Sequence, residues 1–241
     1  MAVTTRRISD NLSHIRDDIA VACEKARRVP ADVSIVAVTK QVDFETVRHL
    51  LDAGLSEFGE NRAAQLARRA EEMNTYLERR RTPLPAPVRW HMIGHLQRNK
   101  IKTVLPTVSV VHSVDSLRLA EALNKRAGHC ACTVDAFVQV NCSEEPQKHG
   151  CAVGAASHLA EMMATMPHVR VVGLMTMAPL TDDAEAARPS FARLREIFED
   201  TRREAAVGDH FRHLSMGMSQ DYAVAVEEGA TVLRIGSALF A

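Results

Sequence analysis

The 241-residue sequence has no excess of charge of either sign and no long apolar segment. Its 30 Lys and Arg residues balance 30 Asp and Glu residues. Because nucleic-acid and membrane-surface proteins usually present a basic surface, this balance predicts neither kind of partner. No apolar run approaches the ~20 residues of a membrane span, and segment 1–20 lacks the apolar core of a signal peptide. We therefore expect a cytoplasmic protein.

Cysteine is scarce and does not follow the spacing of a disulfide framework. The five cysteines are Cys23, Cys130, Cys132, Cys142 and Cys151. An odd number in a chain without an export signal predicts free thiols. His129 precedes Cys130, and His149 lies two residues before Cys151, but no second ligand pair follows at zinc-finger spacing. We therefore assign no metal site.

A Gly-rich dinucleotide-binding turn is missing after the first apolar segment, where "VTKQVD" stands instead. Apolar, β-branched segments alternate with segments of helical spacing along the chain. The predicted strands are 33–39, 55–58, 88–93, 108–112, 134–140, 169–174, 211–216 and 231–235. Eight such repeats in this length predict one α/β domain over residues 1–241, a (β/α)8 TIM barrel, with an open doubly wound sheet as the alternative.

Capping residues and glycines predict where several helices begin and end. We expect helices between Asp43 and Gly54, between Asp115 or Ser116 and Gly128, and between Ser219 and Gly229. A further helix is predicted before the first strand, over about residues 5–27. Because the last strand lies so near Ala241, this N-terminal helix or the short tail should close the barrel beside strand eight.

The ends of strands one, seven and eight carry the candidate binding groups. Lys40 ends the buried segment "DVSIVAVTK", so its amine should point into the mouth of the barrel, where active sites of this fold lie. After strands seven and eight, the glycines and serines of "SMGMS" and "RIGS" can approach and donate to an anion. An amine opposite a phosphate site suggests a ligand with an aldehyde and a phosphate, and pyridoxal 5′-phosphate fits. Arg234 would lie between them and would leave a facing pyridine nitrogen unprotonated.

Short strings at the predicted strand ends occur in the order and spacing of a known family. They are "VAVTK" (36–40), "FGEN" (58–61), "WHMIGHLQRNK" (90–100), "VHSVDS" (111–116), "QVN" (139–141), "GLM" (173–175), "LSMGMSQD" (214–221) and "RIGSALF" (234–240). These strings resemble the YggS/PROSC family of pyridoxal phosphate homeostasis proteins. The resemblance implies a single barrel of the alanine-racemase N-terminal type with the cofactor on a lysine.

The same resemblance implies a role for six residues. The cofactor-bearing lysine corresponds to Lys40, the phosphate contacts to Ser219, Gly236 and Ser237, the residue near the ring nitrogen to Arg234, and a polar neighbour to Asn61. No catalytic residue is assigned. His91, at the end of strand three, is expected to be packed or hydrogen-bonded, with contact to the cofactor face as the alternative, and is left out of the site.

Three functions remain open from the sequence. The first is a carrier that holds pyridoxal phosphate as a lysine aldimine (a Schiff base) and buffers it or delivers it to apo-enzymes. The second is a racemase, which would need a second base; Tyr222 falls within reach of the mouth, but no residues remain for the additional domain of such enzymes. The third is a cofactor-free Schiff-base aldolase. The absence of that domain also removes the usual racemase dimer contact and favours a monomer.

Overall fold

The computed structural model describes residues 4–179 and 181–241, whose eight strands close into one parallel barrel. The strands are β1 (Ser34–Val38), β2 (Glu57–Glu60), β3 (Arg89–Met92), β4 (Val108–Val114), β5 (Val134–Gln139), β6 (Val169–Met175), β7 (His213–Ser215) and β8 (Val232–Ile235). Each strand pairs in parallel with the next, and β8 pairs with β1, with Ser34 opposite Val232. The predicted barrel is confirmed, because an open sheet would leave β1 and β8 apart.

Two apolar clusters, one on each side of the barrel wall, explain why the sequences of the strands are continuously apolar. In β1, Val36 packs inside the barrel with Val110 and Phe137. The next residue, Ala37, faces the other way and belongs to the larger cluster between barrel and helices. Because successive side chains of a strand point to opposite faces, both faces must be apolar when both are buried.

Helices follow the strands around the outside of the barrel. They are α1 (Thr5–Lys25), α2 (Phe44–Asp52), α3 (Ala63–Arg79), α4 (Ile101–Val104), α5 (Leu117–His129), α6 (Ala156–Ala164), α7 (Arg188–Glu204), α8 (Tyr222–Glu227) and α9 (Ser237–Phe240). The predicted limits of α2 are confirmed, since Asp43 Oδ1 accepts from Thr46 N at 2.8 Å and Gly54 has φ +90°.

Two other predicted helix limits are wrong. Gly128 lies inside α5 and does not end it; a Cβ there would come within 2.9 Å of His168 Cδ2, so glycine makes room for that ring. Ser219 does not cap α8, which begins at Tyr222. The carboxylate of Asp221 instead accepts from Met218 N at 2.6 Å, and this bond shapes the turn before α8.

Helix α1 covers the side of the barrel where β8 meets β1. It packs against α2, α8 and α9. Arg7 Nε donates to the carbonyl of Ala241 at 2.7 Å, and Asn11 Nδ2 donates to the carbonyl of Leu239 at 3.1 Å. The prediction that the N-terminal helix or the tail closes this side is confirmed, and the two do so together.

The cysteines agree with the expectation from their number and spacing. All five cysteines are free. Among the helices in the described part of the chain, none combines the length and the hydropathy that a membrane crossing requires.

Candidate functional site

A cavity of about 520 Å³ opens at the carboxyl ends of the strands. This volume lies within the range of small-molecule sites, about 300–1,000 Å³. All six predicted site residues line it: Lys40, Asn61, Ser219, Arg234, Gly236 and Ser237. The loops after β1, β2, β7 and β8 therefore bring the amine and the serine-rich segments to one cavity.

The backbone on both sides of Lys40 is fixed, while its side chain reaches the cavity. Thr39 is fully buried, and its hydroxyl donates to Glu60 Oε1 at 2.6 Å. The carbonyl of Lys40 accepts from Gln65 Nε2 at 3.1 Å. Lys40 itself is exposed. A buried strand can end in lysine here because the strand ends at the mouth, where the ammonium group stays hydrated.

A buried charge pair lies behind the first strand end and was not predicted. Glu60, at the end of β2, is fully buried, and Arg69 on α3 is only 4% exposed. Arg69 Nε lies 3.9 Å from Glu60 Oε1, and Arg69 Nη2 donates to the carbonyl of Val42. Burial raises the pKa of Glu60, against the opposing effects of Thr39 and Arg69. These contacts hold the segment that carries Lys40 against β2.

Ser219 joins the loops after β7 and β8. Its hydroxyl oxygen accepts from Gly236 N and from Ala238 N, both at 3.2 Å. Gly217, two residues earlier, has φ +91°, and a Cβ there would come within 2.6 Å of Ala225 Cβ. The turn therefore needs glycine, and its shape directs Ser219 towards the backbone amides of the last loop. These hydroxyl and amide donors are the kind that bind phosphate.

Arg234 is buried at the bottom of the cavity. Its Nη1 donates to Ser215 Oγ at 2.7 Å, and its Nη2 donates to the carbonyl of Thr176 at 2.9 Å. Burial lowers the pKa of Arg234 to about 10, while the charge of Asp221 opposes this effect. The guanidinium therefore keeps its proton at neutral pH, and its positive charge lies beside the cavity.

A chain of hydrogen bonds leads from Arg234 through the barrel to Glu57. Arg234 Nη1 donates to Ser215 Oγ, which lies 2.9 Å from His112 Nδ1; because the Glu57 carboxylate can only accept and both imidazoles are neutral, the Ser215 proton points to His112 Nδ1. His112 Nε2 then donates to His91 Nδ1 at 2.8 Å, and His91 Nε2 donates to Glu57. Every donor in the chain points towards Glu57.

Burial keeps both imidazoles of this chain neutral. It lowers the pKa of His91 and lowers that of His112 well below its ordinary value. Burial would raise the pKa of Glu57, but the hydrogen bond from His91 and the charge of Arg89 lower it overall. The prediction that His91 is a hydrogen-bonded interior residue is confirmed, whereas the connection to Arg234 was not predicted.

The starts of α3 and α8 decide where the side chains of Asn61 and Tyr222 lie. Asn61 does not cap α3, because Arg62 occupies the N-cap position, and its exposed side chain lies at the cavity. Tyr222 does not reach the mouth, since its hydroxyl donates to Asp18 on α1. Tyr222 lies in the first turn of the helix after β7, as predicted, but the direction of its side chain is set by the contact with α1.

Several cavity residues were missed from the sequence. Gln139 ends β5, His95 follows β3 and His149 lies in the loop after β5, and all three line the cavity. The predicted rule that binding groups follow strand ends applied to each of them. Nothing in their residue type or spacing, however, distinguished them from other residues at the strand ends.

Comparison with known proteins agrees with this geometry. The family model of the alanine racemase N-terminal domain matches residues 11–241. The pyridoxal phosphate homeostasis protein of Aquifex aeolicus is 36% identical over 231 residues, which cover 96% of each chain. A crystal structure of an unknown protein from Bifidobacterium adolescentis is 35% identical, with a TM-score of 0.90 over 98% of this chain and 95% of that one.

A third comparison concerns a protein with a ligand in place. The structure of PipY from Synechococcus elongatus with PLP bound is 28% identical, with a TM-score of 0.81 over 97% of this chain and all of that one. The match extends over nearly the whole of both chains in each of these cases. The chain therefore belongs to the pyridoxal phosphate homeostasis protein family, whose barrel is of the alanine racemase N-terminal domain type.

Proposed function

We propose that this protein binds pyridoxal 5′-phosphate in the cavity and serves the homeostasis of this cofactor without robust catalysis. The observation that carries the proposal is that Lys40 and the loops holding Ser219 and Ser237 line the same cavity. An amine and an anion-binding segment on one cavity suit a ligand with an aldehyde at one end and a phosphate at the other. The names of the family relatives support the same ligand.

The residues present fit this cofactor. When bound, pyridoxal phosphate supplies an aldehyde that bonds to an amine and a pyridine ring that can withdraw electrons. Lys40 provides the amine, and the Ser219 and Ser237 hydroxyls, which also line the cavity, provide phosphate donors. Arg234 keeps its proton, so it cannot protonate the ring nitrogen as a carboxylic acid can. This arrangement favours holding the cofactor over carbanion chemistry.

The positions of the tyrosines support a carrier over a racemase. A racemase of this barrel type would need a second base, for which the sequence suggested Tyr222. The chain has two tyrosines, both among the described residues, and neither lines the cavity. Tyr222 is engaged with Asp18, and Tyr76 packs edge-on against Phe44. We therefore infer that binding, and not turnover, is the main activity.

Cytoplasmic location, a monomeric state and delivery to apo-enzymes complete the proposal. The exposure of Lys40 at the mouth of the cavity supports delivery, because an acceptor protein can approach the bound cofactor there. Fluorescence microscopy of a tagged chain, light scattering and reactivation of an apo-enzyme would test them in turn.

The decisive experiment is an absorption spectrum of the purified protein with pyridoxal phosphate, followed by borohydride reduction and peptide mapping. We expect visible absorption and a phosphopyridoxyl group on Lys40. Lys40→Ala should lose both and still fold, because the side chain is exposed at the barrel rim. Lys102→Ala, which removes another exposed lysine on α4, serves as the control and should behave as the parent. Label on a lysine other than Lys40 would refute the assignment.

Two further assays separate the alternative functions. Rapid, saturable exchange of the α-proton of amino acids for deuterium would favour the racemase and contradict the carrier. A colourless protein that rejects pyridoxal phosphate but forms a reducible adduct with a keto-sugar phosphate would favour the aldolase.

A further inference from the structure

Two histidines and an aspartate from three different loops meet at the mouth of the barrel. His95 follows β3, Asp115 follows β4 and His149 lies after β5. One nitrogen of each imidazole and one carboxylate oxygen all lie within 4.8 Å of one another. His95 Nδ1 is 3.6 Å from Asp115 Oδ2, and the rings of His95 and His149 stack with centroids 4.3 Å apart. Three groups with free lone pairs thus converge in space although they are distant in sequence.

The backbone around His149 holds this residue at the mouth. Its carbonyl accepts from Gln139 Nε2 at 3.1 Å. Asn141 N donates to the carbonyl of Cys151 at 3.0 Å, and Cys151 N donates to the carbonyl of Gln139 at 2.9 Å. Gly150 has φ +132°, and a Cβ there would come within 2.6 Å of Asn141 N. The loop therefore folds back tightly on the end of β5, and the position of His149 follows from this packing.

Asp115 is oriented by its neighbour. Ser116 Oγ donates to Asp115 Oδ1 at 3.2 Å, so that Oδ2 is the oxygen facing His95. The carboxylate is half-buried, whereas His95 and His149 are exposed. A carboxylate oriented by Ser116 beside two exposed imidazoles can accept a cation, because exposed rings can turn without disturbing the core.

We propose that His95, Asp115 and His149 bind a divalent transition-metal ion of the zinc class. Two imidazole nitrogens and a carboxylate oxygen form a ligand set that such ions prefer. Tetrahedral zinc with bonds of about 2.0–2.1 Å needs ligand atoms roughly 3.3 Å apart, which rotation of the exposed rings supplies. Because both imidazoles line the cavity, the open coordination position faces it. The proposal does not depend on which organic ligand the cavity binds.

The ion would join the loops after β3, β4 and β5. No metal site was predicted at His149, because no second ligand pair follows His149 and Cys151 at zinc-finger spacing. Binding to the folded state alone stabilises a protein by mass action, so thermal stability should rise with the concentration of free metal ion.

The test is calorimetric titration of Zn²⁺ into protein freed of pyridoxal phosphate, which itself chelates metals. A Cys130→Ser background removes an exposed thiol next to His129 that could bind zinc separately. Co²⁺ titration gives a visible spectrum of the same site. We expect about one ion per chain and a higher melting temperature with metal.

His149→Gln and Asp115→Asn should each weaken binding at least about tenfold while leaving the far-ultraviolet circular dichroism unchanged. His158→Gln is the matched control, because His158 is exposed and lies 3.9 Å from the carboxylate of Glu161 without a second imidazole. Failure of the parent to bind Zn²⁺ or Co²⁺ more tightly than about 100 µM would overturn the proposal. Equal binding by the parent, His149→Gln and Asp115→Asn would overturn it as well.

Discussion

Arg234 carries its charge inside the barrel, where only 4% of its surface is exposed. A buried guanidinium is costly unless its donors are satisfied. Two acceptors, Ser215 Oγ and the carbonyl of Thr176, meet this requirement. Ser215 does so while donating to His112, so one small hydroxyl serves two buried partners.

Ser215→Ala should therefore destabilise the folded protein strongly, although it removes only one hydroxyl group. It leaves Arg234 without one acceptor and His112 without its donor, and we expect a loss of about 2–4 kcal/mol in the free energy of unfolding. Urea denaturation measures this loss. Ser34→Ala is the control, since Ser34 is exposed and its hydroxyl donates only to the carbonyl of Thr231. A loss no greater than that of the control would show that Arg234 does not rely on Ser215.

At the scale of elements, the loops after β2 and β3 approach closely at the cavity. A Cβ at Gly94 would lie 2.3 Å from the carbonyl oxygen of Asn61 and 2.8 Å from its Cα. Both residues line the cavity. The lack of a side chain at Gly94 thus lets two loops that build the site pack backbone against backbone.

Gly94→Ala should displace the Asn61 loop. Because the clash is with backbone, we expect a loss of stability of about 1–3 kcal/mol and weaker binding of pyridoxal phosphate. Urea denaturation and spectral titration measure the two effects. Gly154→Ala is the control, because a Cβ at Gly154 meets nothing within 4 Å. Unchanged cofactor affinity in Gly94→Ala would show that the position of Asn61 does not matter for binding.

At the scale of the whole molecule, the hydrogen-bond chain crosses the barrel interior. Glu57 begins β2 at one end, and Arg234 lies in β8 beside the cavity at the other. His91 and His112 connect them while remaining neutral. The positive Arg234 and the negative Glu57 are thus joined by hydrogen bonds that all point towards Glu57. Folding fixes both imidazoles in their uncharged form.

This neutrality predicts a pH dependence of stability. The folded pKa of His112 lies well below the unfolded value of about 6.5, so the unfolded chain binds the proton first as pH falls. The contribution of neutral His112 to the free energy of unfolding is therefore fully present above about pH 6.5. It decreases as the pH falls below this value, by up to about 2 kcal/mol at pH 5.

Comparing the parent protein with His112→Gln isolates the pH dependence caused by His112, because glutamine can keep both hydrogen bonds but does not titrate. The loss of stability caused by His112→Gln should be larger at pH 8 than at pH 5, as measured by urea denaturation. Ser34→Ala, which changes an exposed residue that does not titrate, should give the same difference at both values. A pH-independent effect of His112→Gln would contradict a neutral buried imidazole.

Much of the fold follows from local patterns of the sequence. Segments such as 33–39 are apolar and β-branched because both faces of a barrel strand are buried, and β1 formed there. Asp43 predicted the start of α2 because a cap is a contact between near neighbours. Lys40, Ser219 and Arg234 were placed at the cavity because the carboxyl ends of parallel strands meet at one end of a barrel.

Other features depend on contacts that only the closed barrel creates. Ser215 meets His112 across 103 residues of sequence, and Ser219 binds amides of the last loop instead of its own helix. His95 and His149 stack although they belong to different loops. The sequence by itself determined which elements form and at which end of the barrel the polar groups gather. Which side chains touch was decided by strand register and barrel closure, because these set the distances between residues that the chain keeps far apart.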